Sequence, residues 1–193
     1  MRHVGLPKAQ GLYHPSFERD ACGIGLYAHL KGKKSHDIVK KGLHMLRQLE
    51  HRGGQGSDPE TGDGAGIMVQ IPHEYFQTVC GKMKLPEKGR YGVGMVFLPA
   101  HEAERTYYEQ QINDIIQAEG QTLLGWRTVP VNSEKLGTLA KQSKPFIRQV
   151  FIGASSDLRD SLAFERKLYV IRKQAEKLSS NNEFYFASLS SRT

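Results

Sequence analysis

Six of the sixteen residues in His51-Arg52-Gly53-Gly54-Gln55-Gly56-Ser57-Asp58-Pro59-Glu60-Thr61-Gly62-Asp63-Gly64-Ala65-Gly66 are glycine. A glycine inside a helix or strand costs about 0.5–1 kcal/mol relative to alanine, so no packed element tolerates that density. The stretch has to be a loop, and the fold has to be built from what flanks it. Upstream, Ser35 is placed to cap a helix whose apolar residues Ile38, Val39, Leu43, Leu46 and Leu49 share one face for packing on a sheet. Downstream, Ile67-Met68-Val69-Gln70-Ile71 reads as a strand. Anchored at both ends, the loop is shaped rather than a free linker. It is not a phosphate cradle, because it lacks a Gly-Lys-Ser/Thr ending and no helix starts at its last glycine.

The second constraint is Asp20-Ala21-Cys22-Gly23-Ile24-Gly25-Leu26-Tyr27-Ala28-His29, where Ile24, Leu26 and Ala28 alternate with Gly23, Gly25 and Tyr27. That period of two predicts a buried strand over 23–29 with Cys22 at its mouth, and the glycines leave room for a close approach. A lone cysteine among apolar residues is ordinarily a small buried hydrophobe. It becomes a nucleophile where a base or a positive field generates thiolate and donors await the charge on the substrate carbonyl. His29 is seven residues on, about 23 Å in extended chain, and too far to be that base. His51 precedes the glycine loop and is a candidate; His36, His44 and His73 lie in the same half. A base needing no side chain is the α-amine of Cys22 itself, if the bond before it is cut, since an α-amine has a reference pKa of about 7.7–8.0. Spacing alone does not choose between them.

Residues 1–21 read as a surface leader broken by Pro7, Gly11 and Pro15. Past the loop, a short helix is expected over His73 to Val79, and a strand over Tyr91 to Leu98. A helix over 101–119 carries Tyr107, Tyr108, Ile112, Ile115 and Ile116 and ends at Gly120. Leu123 to Pro130 and Gln149 to Gly153 read as strands around a polar excursion over 132–145. Asp160 or Ser161 is expected to cap a helix carrying Leu162, Phe164, Leu168, Ile171 and Ala175, followed by a strand over Glu183 to Leu189. That last strand has no turn or partner behind it, so the chain is expected to be a piece of something longer.

With 193 residues and a mean hydropathy of −0.51, a single soluble domain is expected. The amino terminus lacks a signal-like apolar run and no membrane partner is expected, which places the chain in the cytoplasm. Two cysteines, Cys22 and Cys80, form neither a disulfide framework nor a metal-ligand pair, as suits a reducing compartment. A net charge of +7 raises the possibility of an anionic partner. Yet Lys31, Lys33 and Lys34 form only a short cluster at a turn, and Arg166, Lys167, Arg172, Lys173 and Lys177 share their helix with Glu165 and Glu176, so a solvated face is the better reading and no nucleic acid is expected.

Together, Asp20-Ala21-Cys22-Gly23-Ile24-Gly25, Leu49-Glu50-His51-Arg52-Gly53-Gly54 and Thr61-Gly62-Asp63-Gly64-Ala65-Gly66 resemble the start of the glutaminase domain of glutamate synthase large subunits, class II glutamine amidotransferases of the N-terminal-nucleophile type. The likeness continues through Tyr91–Phe97, Leu124–Pro130, Gln149–Gly153 and Phe184–Thr193. It implies an α+β fold, the N-terminal-nucleophile αββα four-layer sandwich, incomplete at its C-terminal end. Residues 1–21 would then be a propeptide and 22–193 the N-terminal portion of the amidotransferase domain. Cys22 would be the nucleophile, with its freed α-amine as general base, in hydrolysis of glutamine to glutamate and ammonia. Arg52 would order the site, a role that an ordinary surface ion pair rivals on sequence grounds; Asp63 reads first as a turn residue. The family's oxyanion Asn-Gly pair has no counterpart, since no Asn-Gly dipeptide occurs, and substrate-binding residues are expected after Thr193. The segment is therefore expected to have little activity alone. The resemblance places FMN, an iron–sulfur cluster and the site of a reduced electron donor in downstream synthase domains, where ammonia meets 2-oxoglutarate, with a small subunit as a further partner. The alternatives are a class II amidotransferase with a different acceptor and a non-catalytic basic module.

Overall fold

A computed structural model of the chain describes residues 9–11, 14, 23–49, 60–62, 64–158, 160–179 and 184–193. They fall into two compact units, Met1–Ile67 and Met68–Thr193. Among its described residues the first holds one helix, α1 (His36–Gln48). Ser35 stands at its N-cap position in extended conformation, but its side chain makes no capping bond. No residue of α1 is fully buried, so the expected packing of this helix on a sheet is not found among the described residues of its unit. The inner face holds Ile38, Val39, Met45 and Leu46, whereas Leu43, expected among them, is exposed. Steps of about 100° per residue explain the difference: Leu43 falls on the outer side of the arc that Met45 completes.

Residues 23–29 do not form the expected strand, and Ile24 and Leu26 are 92% and 87% exposed. The run over 67–71 is likewise irregular, with Ile67, Met68 and Val69 exposed. Alternation says which side chains would share a face. A strand exists only where a neighbouring strand takes up its N–H and C=O groups, and among the described residues neither run has one.

The second unit opens with α2 (His73–Val79), as expected, and is built on four strands: β1 (Tyr91–Leu98), β2 (Thr122–Thr128), β3 (Phe146–Gly153) and β4 (Tyr185–Ser190). Their order is β2-β3-β1-β4, with every pairing antiparallel. Two long helices complete it, α3 (Glu102–Ala118) and α5 (Ser161–Glu176), and a short one, α4 (Thr138–Ser143), lies in the excursion expected to be irregular. Local starts and stops follow the sequence. Asp160 caps α5 by accepting from the N–H groups of Leu162 and Ala163 at 3.1 Å each. Gly120, at φ +70°, closes α3, and the N–H of Gln121 reaches back to the Ile116 carbonyl at 3.0 Å.

Both faces of the sheet are used. Val96, Val150, Ile152 and Phe186 pack with Ile112 and Ile116 of α3 and with Phe164, Leu168 and Ile171 of α5. On the opposite face Tyr91, Val93 and Phe151 pack with Ile71, Phe76 and Cys80. β1 supplies both clusters because its neighbours in sequence point to opposite sides. The helix-covered face needs Gly94: a Cβ there would stand 2.8 Å from Val150 Cγ1, 3.1 Å from Leu189 Cδ1 and 3.2 Å from Phe186 Cε1. All three neighbours are held in the core, so Gly94→Ala should destabilise by about 1–3 kcal/mol, read from urea unfolding.

Glu119, just beyond α3, ties that helix to α5. It accepts from Lys167 Nζ at 2.8 Å and from the amide of Gln174. Lys167 first, then Gln174, holds its carboxyl below the usual glutamate range. A depressed folded value means that this contribution is complete above the unfolded glutamate pKa of about 4.3 and is lost as pH falls below it toward the folded value. The urea midpoint is therefore expected to drop with acidification in that window, and less steeply in Glu119→Gln. The slope does not vanish in the variant, because Lys173 and Arg172 lower Glu176 in the same direction.

Candidate active site

The residues expected to carry chemistry, Cys22 and Arg52, lie outside the described residues, as do His51, Asp63 and most of the leader. Their described neighbours supply the geometry. The chain after Cys22 runs antiparallel along α1 and touches it at three points in regular steps. A Cβ on Gly23 would stand 2.9 Å from Leu49 Cδ2, and one on Gly25 would stand 3.2 Å from Met45 Cε. Tyr27 Oη accepts from Lys41 Nζ at 2.9 Å. Two residues of extended chain advance about 6.6 Å and four residues of helix about 6.0 Å, so positions 23, 25 and 27 keep pace with 49, 45 and 41. Glycine at 23 and 25 permits this approach. The sequence pointed to room for a backbone or a ligand; the visitors here are the side chains of Leu49 and Met45. Asp37, 2.9 Å from Lys41 Nζ, reinforces the third point and has its own carboxyl lowered by that ammonium.

This register brings together two distant stretches of sequence. Gly23, joined by one peptide bond to Cys22, packs on Leu49, the residue that closes α1 and leads into the glycine-rich stretch. The contact lies at the carbonyl end of α1, where the helix dipole presents partial negative charge.

Of the histidines named as candidates, His29 and His73 take structural places. His29 Nδ1 accepts from the N–H groups of Lys31 and Lys33 at 3.2 and 3.3 Å, which makes it a turn residue. His36 and His44 lie on the exposed side of α1. His73 Nδ1 is 2.9 Å from the hydroxyl of Tyr91, which is fully buried. Cys80 sits in the same apolar cluster as Tyr91. Burial pushes the Cys80 thiol up, against a smaller opposing pull from Arg127, and burial also raises the Tyr91 phenol. Neither group is an activated nucleophile.

Two arrangements escaped the sequence reading. Arg127 Nη1 donates to Gln149 Oε1 at 2.7 Å, a pair whose only signal was their places on adjacent strands. Arg148 Nη1 meets Glu109 Oε2 at 2.6 Å between β3 and α3, with its guanidinium 5.5 Å from the centre of the Trp126 ring. Both are scaffold. A cleft of about 370 Å³ beside Phe97, Lys144 and Tyr185 has, among the described residues, no thiol, imidazole or carboxylate in its lining. Among the described residues no three His, Cys, Asp or Glu side chains are grouped to hold a metal ion, and no helix is long and apolar enough to cross a membrane.

Residues 22–193 match the family model of the class-II glutamine amidotransferases. The chain belongs to that family. The sheet and helices of the second unit are thus part of a class II amidotransferase domain, a mixed helical and antiparallel architecture of the N-terminal-nucleophile type. Among individual proteins, the chain is 67% identical over 195 residues to the glutamate synthase [NADPH] large chain of Bacillus subtilis (strain 168), covering 100% of this chain and 13% of that one. It is 41% identical over 184 residues to ferredoxin-dependent glutamate synthase 2 of Synechocystis sp. (strain ATCC 27184 / PCC 6803 / Kazusa), covering 91% and 11%. It is 38% identical over 192 residues to the glutamate synthase [NADH] of Schizosaccharomyces pombe (strain 972 / ATCC 24843), covering 95% and 9%. The amidotransferase chain thus spans between 9% and 13% of these relatives' length.

Proposed function

We propose that this chain is the glutaminase portion of a glutamate synthase large chain, with Cys22 as its nucleophile. The observation that carries this reading is that the family match begins at Cys22, the residue the motifs single out. Residues 1–21 are then a propeptide, 22–193 the N-terminal portion of the amidotransferase domain, and the freed α-amine of Cys22 takes the thiol proton. The Cys22 sulfur attacks the side-chain amide carbon of glutamine. The tetrahedral intermediate collapses to a thioester as the amide nitrogen, receiving the proton held by the α-amine, leaves as ammonia. Water then attacks the thioester, the α-amine again accepting a proton, and glutamate and the thiol are released. The packing of Gly23 on the carbonyl end of α1 supports a need for positive charge, because helix carbonyls oppose thiolate. Arg52, a permanent cation four residues beyond Gln48, is assigned to that need and to ordering the site.

Ammonia passes to 2-oxoglutarate in other domains of the longer cytoplasmic polypeptide, and a small subunit is a further partner. FMN and the iron–sulfur cluster belong to those domains. A cluster held by Cys thiolates draws on up to four of them, and this chain has two cysteines, one of them the buried Cys80. With no Asn-Gly dipeptide to supply oxyanion donors, the 193-residue chain alone should release glutamate from glutamine at least about a hundredfold more slowly than the longer polypeptide. Intact mass and amino-terminal sequencing of the mature polypeptide test the assignment: the first residue should be Cys22, and a mature protein that begins at Met1 and still hydrolyses glutamine overturns the α-amine mechanism.

A further inference from the structure

The outer face of α1 carries His36, Lys40, Leu43, His44 and Arg47, all exposed, opposite the inner arc of Ile38, Met45 and Leu46. His36, Lys40, Leu43 and Arg47 follow one another at intervals of four, three and four, which lines them up as one seam along the helix. The seam is about 16 Å long, three helical turns, and among the described residues no carboxylate stands on it. The one acid of α1, Asp37, is on the flank and is held by Lys41. Lys31 and Lys33, both exposed, extend the positive charge from the turn before the helix.

We infer that this seam is the docking surface for an acidic amphipathic helix from another domain of the same longer polypeptide; the choice of source rests on the functional reading above. Charge complementarity selects an acidic partner. The exposed Leu43 in the middle of the seam selects a protein over a nucleic acid, since it offers an apolar contact and among the described residues the seam has no aromatic ring on which a base would stack. The source follows from length: the matched relatives continue far beyond the region this chain spans, and a tethered helix is present at an effective concentration that no separate chain readily reaches.

The test places a photoreactive benzophenone amino acid at position 43 of the longer polypeptide, with the same group at the exposed Tyr107 of α3 as control, and maps crosslinked peptides by mass spectrometry. The expected product joins position 43 to a segment of the same polypeptide with carboxylates at helical spacing. Its yield should fall severalfold in 0.5 M salt, given a Debye length of about 3–10 Å between 1 M and 0.1 M. The double variant Lys40→Glu/Arg47→Glu should lower the yield, and the milder Lys40→Ala/Arg47→Ala should do so in the same direction if the reversed charges disturb folding. A crosslink to a segment without acids, to a second chain or to nucleic acid, or a yield no higher than at position 107, overturns the inference. Glutamate release by the unsubstituted polypeptide is measured alongside, so a failure of the functional reading is seen separately from a failure of the docking surface.

Discussion

Cys22→Ala in the longer polypeptide should reduce glutamine hydrolysis by about a thousandfold or more, the scale on which removing a covalent nucleophile lowers turnover. The methyl group cannot form the thioester, and the remaining groups can only position substrate. If the domain's task is to supply ammonia, the same variant should still make glutamate when ammonia is added in place of glutamine. Glutamate release from glutamine at the parental rate would refute the assignment of Cys22 and with it the proposed maturation at that residue. The variant leaves the Gly23, Gly25 and Tyr27 contacts along α1 in place, so a loss of activity is not a loss of that register.

The largest effect on stability is expected at Phe151, which is fully buried. Its ring meets Phe76 edge-on at 5.1 Å between centres and stacks with Tyr91 at 6.4 Å. Phe151→Ala should cost about 3–5 kcal/mol by urea unfolding, combining lost burial with the cavity left among neighbours that relax only in part. Phe151 faces away from α3 and α5, so this loss acts through the cluster that holds α2 on the sheet. Protection of the α2 amides from hydrogen exchange should fall more than that of α3. An equal fall in both helices would show that the two faces unfold as one unit.

Much of the second unit was legible. The apolar stripe of α5 placed Phe164, Leu168, Ile171 and Ala175 on the buried face, although Leu162, expected with them, is exposed, and of the two cap candidates, Asp160 and Ser161, it is Asp160 that caps the helix. α2 came out with the bounds the sequence suggested. α4 was missed because Thr138 to Ser143 lie in a polar segment with no buried residue to set a period. β3 begins at Phe146, earlier than Gln149, because pairing with β1 carries the strand past its most apolar core. The candidate site divides in the same way. Its candidates, Cys22 and Arg52 beside the glycine-rich stretch, could be named from the sequence, whereas the antiparallel register that puts Gly23 on Leu49 could not, because it depends on matching the rise of a helix to that of an extended chain.

What the sequence by itself supplied was the candidate chemistry and the longer helices: a thiol before a glycine-spaced run, a stretch too rich in glycine for a packed element, and segments whose hydrogen bonds close within themselves. The tertiary structure alone decided which extended runs became strands. Tyr91–Leu98 gained partners on both sides and lies at the centre of the core, while 23–29 lies along a helix and 67–71 remains irregular. A helix satisfies its backbone with neighbours four residues away, but a strand depends on a second segment that its own sequence does not name.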